Sequence, residues 1–520
     1  VSISPSARSS GAKGISNVVS PSYTGFGIEP SNVFSFTGFE QPNEFSLTLM
    51  RNLANYSGAP GWLRLGGNTG DYFLYDPNFQ EFRMDTNKNP TGQGNIPTDL
   101  YYIGPAYFKA IERFLEDTPI TVGLNLAYNF VDWQQRITDM AQAAVDGLSN
   151  TKLVSFEIGN EPDLYGQNGF RKPSYGGPDY VQEWLDRANV VYNKVLAPGG
   201  FPKAFFEPAA TASTIGTSFL IDVLVENGIL QPNQSSSAVG STDGFVSAWN
   251  QHDYFYFISV SPMELTMDYL AKFTSTETQF KHWSQEIGDT LKDHPDIPYH
   301  LREMASVGPV GQVGISDTFA ATIWTLNFFL YSATLNIASV QMHMTDNSFA
   351  SPWQPMSHPE KATEPHVRPS YYAFAAFTQL LGHCNGTTQI APVSVNDAPS
   401  GYGEYLRAYG VYSANQLTAI VVLNSKLALA SDPSPPSIDI QLSFPDNPGR
   451  PAYLSYLTAA GADTQSSADT NWNGFIFSDV DGTLIPADPP VGSTPNRDAV
   501  VGTDSTLSVS LRDSEAVIVS

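Results

Sequence analysis

Two carboxylic acids stand at the ends of short apolar runs, each placed where acid–base work is possible. The first is Glu161, in Phe156-Glu157-Ile158-Gly159-Asn160-Glu161-Pro162, where a β-like run stops and Pro162 bars its continuation. The second is Glu303, near the end of Tyr299-His300-Leu301-Arg302-Glu303-Met304. Two carboxyl groups about 5 Å apart, flanking a sugar, support glycosidic cleavage through a covalent intermediate. Plainer readings exist: Glu161 can cap a helix, and Glu303 can pair with Arg302.

The elements that would have to position them are legible in the hydrophobic pattern. Eight β-like runs, at 23–28, 61–65, 120–126, 153–158, 204–207, 244–254, 298–302 and 338–343, alternate with longer helical patterns. The helical patterns include 106–115, 133–148, 180–196, 280–291, 317–335 and 371–381. This alternation predicts an α/β fold, a (β/α)8 TIM barrel over residues 19–383. Chemistry in such barrels sits at the C-terminal ends of the strands. Glu161 follows the fourth run and Glu303 the seventh, so a shared mouth can bring them to the required spacing.

Beyond Cys384 the texture changes to short β-like runs, at 405–412, 417–423, 438–442, 452–457, 474–477 and 507–510, parted by Pro, Gly, Asp and Ser. An accessory antiparallel β-sandwich over 384–520 is expected, joined by the segment 1–18, where Val1 and Ile3 alternate with serines. The run Phe475-Ile476-Phe477-Ser478-Asp479-Val480-Asp481-Gly482-Thr483-Leu484 has the pattern of a phosphatase that attacks through its first Asp. No βαβ pattern surrounds it, so a hairpin turned on Gly482 is the expectation. Tyr402, Tyr405, Tyr409 and Tyr412 invite a sugar-stacking reading, but their mixed parity splits them between two faces, half core and half surface.

The composition excludes other classes. With 51 acidic against 26 basic side chains and a net charge of -25, the chain is a poor partner for nucleic acid or an anionic membrane. The 41% hydrophobic content supports a sizeable core. The apolar span 319–340 carries Asn327 and Asn336 and reads as a buried helix, not a membrane crossing. Scattered His and a single Cys predict no metal site, and no cofactor is expected. Three sequons, at Asn55, Asn233 and Asn385, together with a Ser/Gly-rich start lacking Met, predict a secreted, extracellular glycoprotein carrying N-linked glycans.

At this point the residues resemble a family. Gly159-Asn160-Glu161-Pro162 and Glu303 resemble clan A retaining glycoside hydrolases. Arg64-Leu65-Gly66-Gly67-Asn68-Thr69-Gly70-Asp71, Gly25-Phe26-Gly27-Ile28-Glu29 and the trailing β-domain are similar to glycoside hydrolase family 79, the β-glucuronidase and heparanase group. The resemblance implies Glu161 as acid/base, Glu303 as nucleophile and Asn160 as the partner of the sugar 2-OH. It implies Tyr254, in Gln251-His252-Asp253-Tyr254, as the hydroxyl that holds the nucleophile; the alternative for Tyr254 is packing in the barrel. Asn68 and Glu29 bind sugar hydroxyls or fix their own loop.

The family holds the uronate carboxylate partly through the loop after strand seven. Here that loop, Ser306-Val307-Gly308-Pro309-Val310-Gly311, offers the amides of Gly308 and Gly311 but no tyrosine hydroxyl. The departure opens the question of decoration, with 4-O-methylated glucuronate as the modified candidate. His343 and Trp353 are candidate wall residues. The implied activity is a secreted retaining exo-β-glucuronidase taking terminal β-linked glucuronic acid from glycan chains such as arabinogalactan or proteoglycan sugars. The alternatives are an endo-acting, heparanase-like glucuronidase and a non-catalytic glycan-binding barrel. An endo enzyme on a polyanion needs basic subsites, against which the acidic surplus argues.

Overall fold

Runs such as Phe156-Glu157-Ile158 alternate between a face for the surrounding helices and a face for the barrel interior, and eight of them close on themselves. In the computed structural model, which describes residues 1–208, 211–212, 217–230, 244–358, 363–382 and 384–520, the barrel strands are β1 (Thr24–Ile28), β2 (Leu63–Leu65), β3 (Pro119–Leu124), β4 (Lys152–Ile158), β5 (Phe206–Pro208), β6 (Trp249–His252), β7 (Tyr299–Met304) and β8 (Ser339–Met344). All neighbouring pairs are parallel, in the order β6-β7-β8-β1-β2-β3-β4-β5. A parallel bridge between Phe206 and Val246 brings β5 against the approach to β6, with Ser247 N donating to Phe206 O at 2.8 Å. The α/β barrel class expected from the sequence is the observed one.

Leu63, Leu65, Phe156 and Ile158 are buried in the apolar cluster beneath the helices. The interior is polar instead. In one layer Arg302 forks onto Glu207, with Nε 2.9 Å from Oε2 and Nη2 2.5 Å from Oε1. Ser155 donates to the same carboxylate at 2.7 Å, and the Arg302 guanidinium lies 4.3 Å over the Trp62 ring. A second charged layer, toward the C-terminal ends of the strands, contains the Glu303 carboxylate.

Two consecutive side chains, Arg302 and Glu303, enter the interior because β7 is irregular. Its register against β8 slips between Leu301 and Met304, and that against β6 slips at His252. A bulge of this kind adds a residue and re-aims its side chain. Arg302 therefore pairs with Glu207, and the suggested Arg302–Glu303 pair does not form.

Helix positions follow the pattern closely: Trp133–Gly147, Gly177–Val191, Lys281–Asp293 and Ser370–Gly382. The helix Phe319–Thr334 is buried on nearly every side because the β-domain covers its outer face, where Tyr409 donates to Asn327 Oδ1 at 2.9 Å. Among the described residues no helix is long and apolar enough to cross a membrane.

The β-domain has two layers, antiparallel except where the N-terminal strand joins, over a core that includes Ile3, Leu406, Ile420, Ile440 and Val517. Ser2–Ile3 pairs antiparallel with Val395–Asn396 and parallel with Ser437–Ser443. The strand Glu515–Val519, absent from the sequence expectation, lies centrally between Gln416–Asn424 and Pro451–Ala459. Phe475–Phe477 and Leu484–Pro486 form an antiparallel hairpin, and Asp481 accepts from Thr483 within its turn. Tyr405, Tyr409 and Tyr412 bond Asp268, Asn327 and the Ser6 carbonyl, so these hydroxyls serve internal packing.

Candidate active site

β4 ends at Ile158 and the chain turns sharply. Gly159 has φ +82, and a Cβ there would lie 2.6 Å from the Tyr165 hydroxyl and 2.7 Å from Leu126 Cβ, so only glycine fits. Glu161 is itself left-handed, at φ 46 and ψ 61, a conformation an L-residue adopts at a cost. Pro162 then opens a short 3-10 turn. The result is a carboxyl aimed across the C-terminal mouth of the barrel toward Glu303 on β7. One carboxylate oxygen of each, with a ring nitrogen of His252 on β6, lie within 4.8 Å of one another.

Their surroundings differ. Glu303 Oε2 receives Arg64 Nη1 at 2.5 Å, and Oε1 receives the Tyr254 hydroxyl at 2.7 Å. Both His252 and His343 approach it, at 3.7 and 3.8 Å. Burial opposes charge on Glu303, but His343, Arg64 and the Tyr254 hydroxyl outweigh it and hold this carboxyl well below the usual range. Of these, Arg64 carries its charge at every pH. Among the described residues Glu161 meets the imidazole of His252, with Nδ1 3.3 Å from Oε1. Burial, then the negative fields of Glu303 and Asp163, push it well above the usual range, against the pull of Arg64. Burial also holds the His252 ring down to about 3, so it is neutral near neutral pH.

One carboxyl is thus set to be ionised and the other protonated at a spacing that admits a sugar's anomeric centre. Glu161, His252 and Glu303 also form the group of acidic and histidine ligand atoms, among the described residues, that converges enough to hold a metal ion.

Asn160 and Asn68 are brought together beside the pair. Asn160 Nδ2 donates to Asn68 Oδ1 at 2.9 Å, and Arg64 Nη2 donates to Asn160 Oδ1 at 2.7 Å. Glu29, at the end of β1, accepts from Thr69 N at 2.7 Å and from the Thr69 hydroxyl at 2.5 Å, with His343 Nε2 3.8 Å away. It therefore fixes the Asn68–Asp71 loop. Tyr254 lies past the end of β6, its ring edge-on to Phe257 and His343.

Two expectations shift. Trp353 is fully buried between Phe26, Phe36 and Tyr371, donating to Ser46 Oγ at 2.9 Å, so it is a packing residue and no wall. The Gly308 amide is spent on Tyr256 O at 2.8 Å, so the uronate cannot draw on it. Gly308 instead makes room, since a Cβ there would lie 2.7 Å from the Tyr254 ring. Gly311 has φ +78 and packs its Cα side against the Ala350 amide and Ser316. Asn55 is exposed on the helix Glu44–Ser57, Asn385 is exposed in a turn at φ +47, and Asn233 lies outside the described residues.

Sequence reasoning assigned no role to Arg64, Glu157, His252 or Asp71. Arg64 joins Glu303, Asn160 and Glu157, the last through two contacts. Its signal was available: an Arg flanked by Leu63 and Leu65 in a buried strand needs internal anions. Asp71 is buried, and its carboxylate accepts four hydrogen bonds from the loops after β3 and β4.

Comparison with known proteins adds lineage. Residues 408–518 match the glycosyl hydrolase family 79 C-terminal beta domain. A Neurospora crassa β-glucuronidase is 28% identical over 426 residues, 79% of this chain and 73% of that one. An Aspergillus niger β-glucuronidase is 28% identical over 411 residues, 77% and 71%. Bovine heparanase is 25% identical over 231 residues, 36% and 39%. Among solved structures, a 4-O-α-L-rhamnosyl-β-D-glucuronidase from Fusarium oxysporum superposes with a TM-score of 0.76 at 18% identity, covering all of both chains. That likeness is one of fold.

Proposed function

From the premise that the chain belongs to glycoside hydrolase family 79, we propose that it is a retaining exo-β-glucuronidase, with Glu303 as nucleophile and Glu161 as acid/base. The observation that carries the mechanism is the pair itself: two carboxyls whose oxygens lie within 4.8 Å, one held ionised and one protonated. Glu303 attacks the anomeric carbon while Glu161 gives its proton to the leaving glycosidic oxygen, and the C–O bond breaks. Glu161, now a carboxylate, takes a proton from water as the water displaces Glu303 from the sugar. The proton returns to Glu161 and the β configuration is kept.

Asn160 and Asn68 present amides to the sugar hydroxyls, and His343 and Gly311 flank the uronate end. Exo action fits the charge balance: a net -25 repels long polyanions, whereas one terminal uronate needs only local donors. Extracellular residence with N-linked glycans fits the exposed sequons at Asn55 and Asn385.

The test is hydrolysis of a chromogenic β-glucuronide, its 4-O-methyl form and a β-glucoside by wild type, Glu303→Ala and Glu161→Ala. Release from a glucuronide, with the β anomer formed first and activity lost in Glu303→Ala, is expected. Cleavage of the glucoside alone would discard the uronate reading. Silence on all three by folded protein would return the weight to an endo-acting or non-catalytic barrel.

A further inference from the structure

The loops after β2, β3 and β4 converge on one buried side chain that never reaches the sugar site. Asp71, at the end of the turn Asn68–Asp71, accepts from Leu126 N and Ala127 N at Oδ1, at 3.1 and 3.2 Å. At Oδ2 it accepts from Asn160 N at 3.1 Å and from the Tyr165 hydroxyl at 2.6 Å. Leu126 and Ala127 follow β3, while Asn160 and Tyr165 bracket Glu161. The turn grips Asn160 a second time through Asn68 Oδ1, at 2.9 Å. Glu161 comes next, left-handed, with its carbonyl bonded by Leu164 N at 2.9 Å.

A left-handed non-glycine residue persists only where its surroundings over-determine it. Here the Asn160 N–H, one peptide before Glu161, is tied to a carboxylate that is itself tied to two other loops. The geometry points to Asp71 as the positioning residue that sets where the Glu161 carboxyl stands relative to Glu303, acting through the Asn160 peptide. This rests on the reading of Glu161 as acid/base, and it adds a residue that touches neither substrate nor reacting atoms.

The clean variant is Asp71→Asn. An amide keeps one acceptor oxygen, which can serve the Leu126 and Ala127 amides, and its NH2 then faces the Asn160 N–H, donor against donor. The Tyr165 hydroxyl can turn to accept, but the Asn160 N–H cannot. The Asn160–Glu161 peptide is released while the rest of the clasp stays. A displacement near 1 Å in such a group costs up to about a hundredfold in rate.

The readout is kcat/KM on two aryl β-glucuronides, one with a phenol leaving group and one with 2,4-dinitrophenol, whose departure needs no proton. For Asp71→Asn we expect a loss of roughly 10- to 100-fold on the phenyl substrate and less than about threefold on the dinitrophenyl one. Equal losses on both, tracking a fall in folded fraction, would show a merely structural role and overturn the proposal. Should Asp71→Asn fail to fold, Tyr165→Phe removes one donor from the same carboxylate. A smaller selective loss on the phenyl substrate supports the proposal, and none overturns it. Glu161→Ala is the control: if it shows no leaving-group selectivity, the acid/base premise fails, which is distinguishable from a failure confined to Asp71.

Discussion

Arg64 reaches Glu303 Oε2 through Nη1 at 2.5 Å and turns its Nε edge onto Glu157 Oε2 at 3.0 Å, so one buried guanidinium bridges two carboxylates from β4 and β7. Both acids are buried against it, and burial, helped by the negative field of Glu207, raises the pKa of Glu157 despite that partner. Removing the cation leaves two buried negative groups without their shared countercharge.

Arg64→Met is therefore expected to destabilise the fold by about 3–5 kcal/mol. Arg64→Lys keeps a charge but cannot fork, and a loss of activity on the order of 10³-fold is expected from the altered nucleophile. Chemical denaturation and kcat/KM on an aryl glucuronide check the two; a Lys variant with wild-type rate would remove Arg64 from the account.

Tyr254→Phe deletes the 2.7 Å donor to Glu303 Oε1. That bond favours the ionised carboxylate, so its loss raises the Glu303 pKa. The acidic limb of the kcat/KM profile should move to higher pH, with a roughly 10- to 100-fold drop at the optimum. An unmoved limb would mean that the hydroxyl serves packing alone.

The wild-type profile should be a bell. Activity needs Glu303 ionised and Glu161 protonated, so the acidic limb lies below the usual carboxylate range and the alkaline limb above it. The two limbs belong to the coupled pair. In Glu161→Gln the alkaline limb should vanish from the residual activity on a dinitrophenyl substrate, and its persistence would assign it to another group.

Stability should be greater in mild acid than at neutral pH. Burial raises Asp71 from 3.8 to about 6 and Glu286 from 4.5 to about 7. A raised carboxyl pKa means the folded state holds the proton more tightly, so stability is lost as pH rises from the unfolded to the folded value. Between about pH 4 and 7 the melting temperature should therefore fall by several degrees, and Glu286→Gln should flatten the slope. Below about pH 4, loss of the lowered groups, Glu303 and Glu183, reverses the trend. Melting curves across pH 3–8 decide; a Tm that climbs from pH 5 to 7 contradicts this.

The chain's alternation of β-like runs with amphipathic helical patterns was enough to determine the barrel, the trailing β-domain and the placing of Glu161 and Glu303 after the fourth and seventh strands. Those are local periodicities, and periodicity survives in one dimension. Gly159 and Pro162 likewise announce a break at β4, because only backbone chemistry is involved. What the tertiary structure decided is which buried groups meet. Arg302 adjoins Glu303 in sequence yet pairs with Glu207, because a bulge in β7 sends neighbouring side chains to different layers. Arg64 lies 239 residues from the carboxylate it holds. Trp353 reads from the sequence as a candidate wall residue and is sealed among Phe26, Phe36 and Tyr371, since nothing in its own sequence tells a rim from a core. Asp71 reads as one acidic residue in a Gly-rich loop; its four donors come from two other loops, and only closure of the barrel brings them within hydrogen-bond reach.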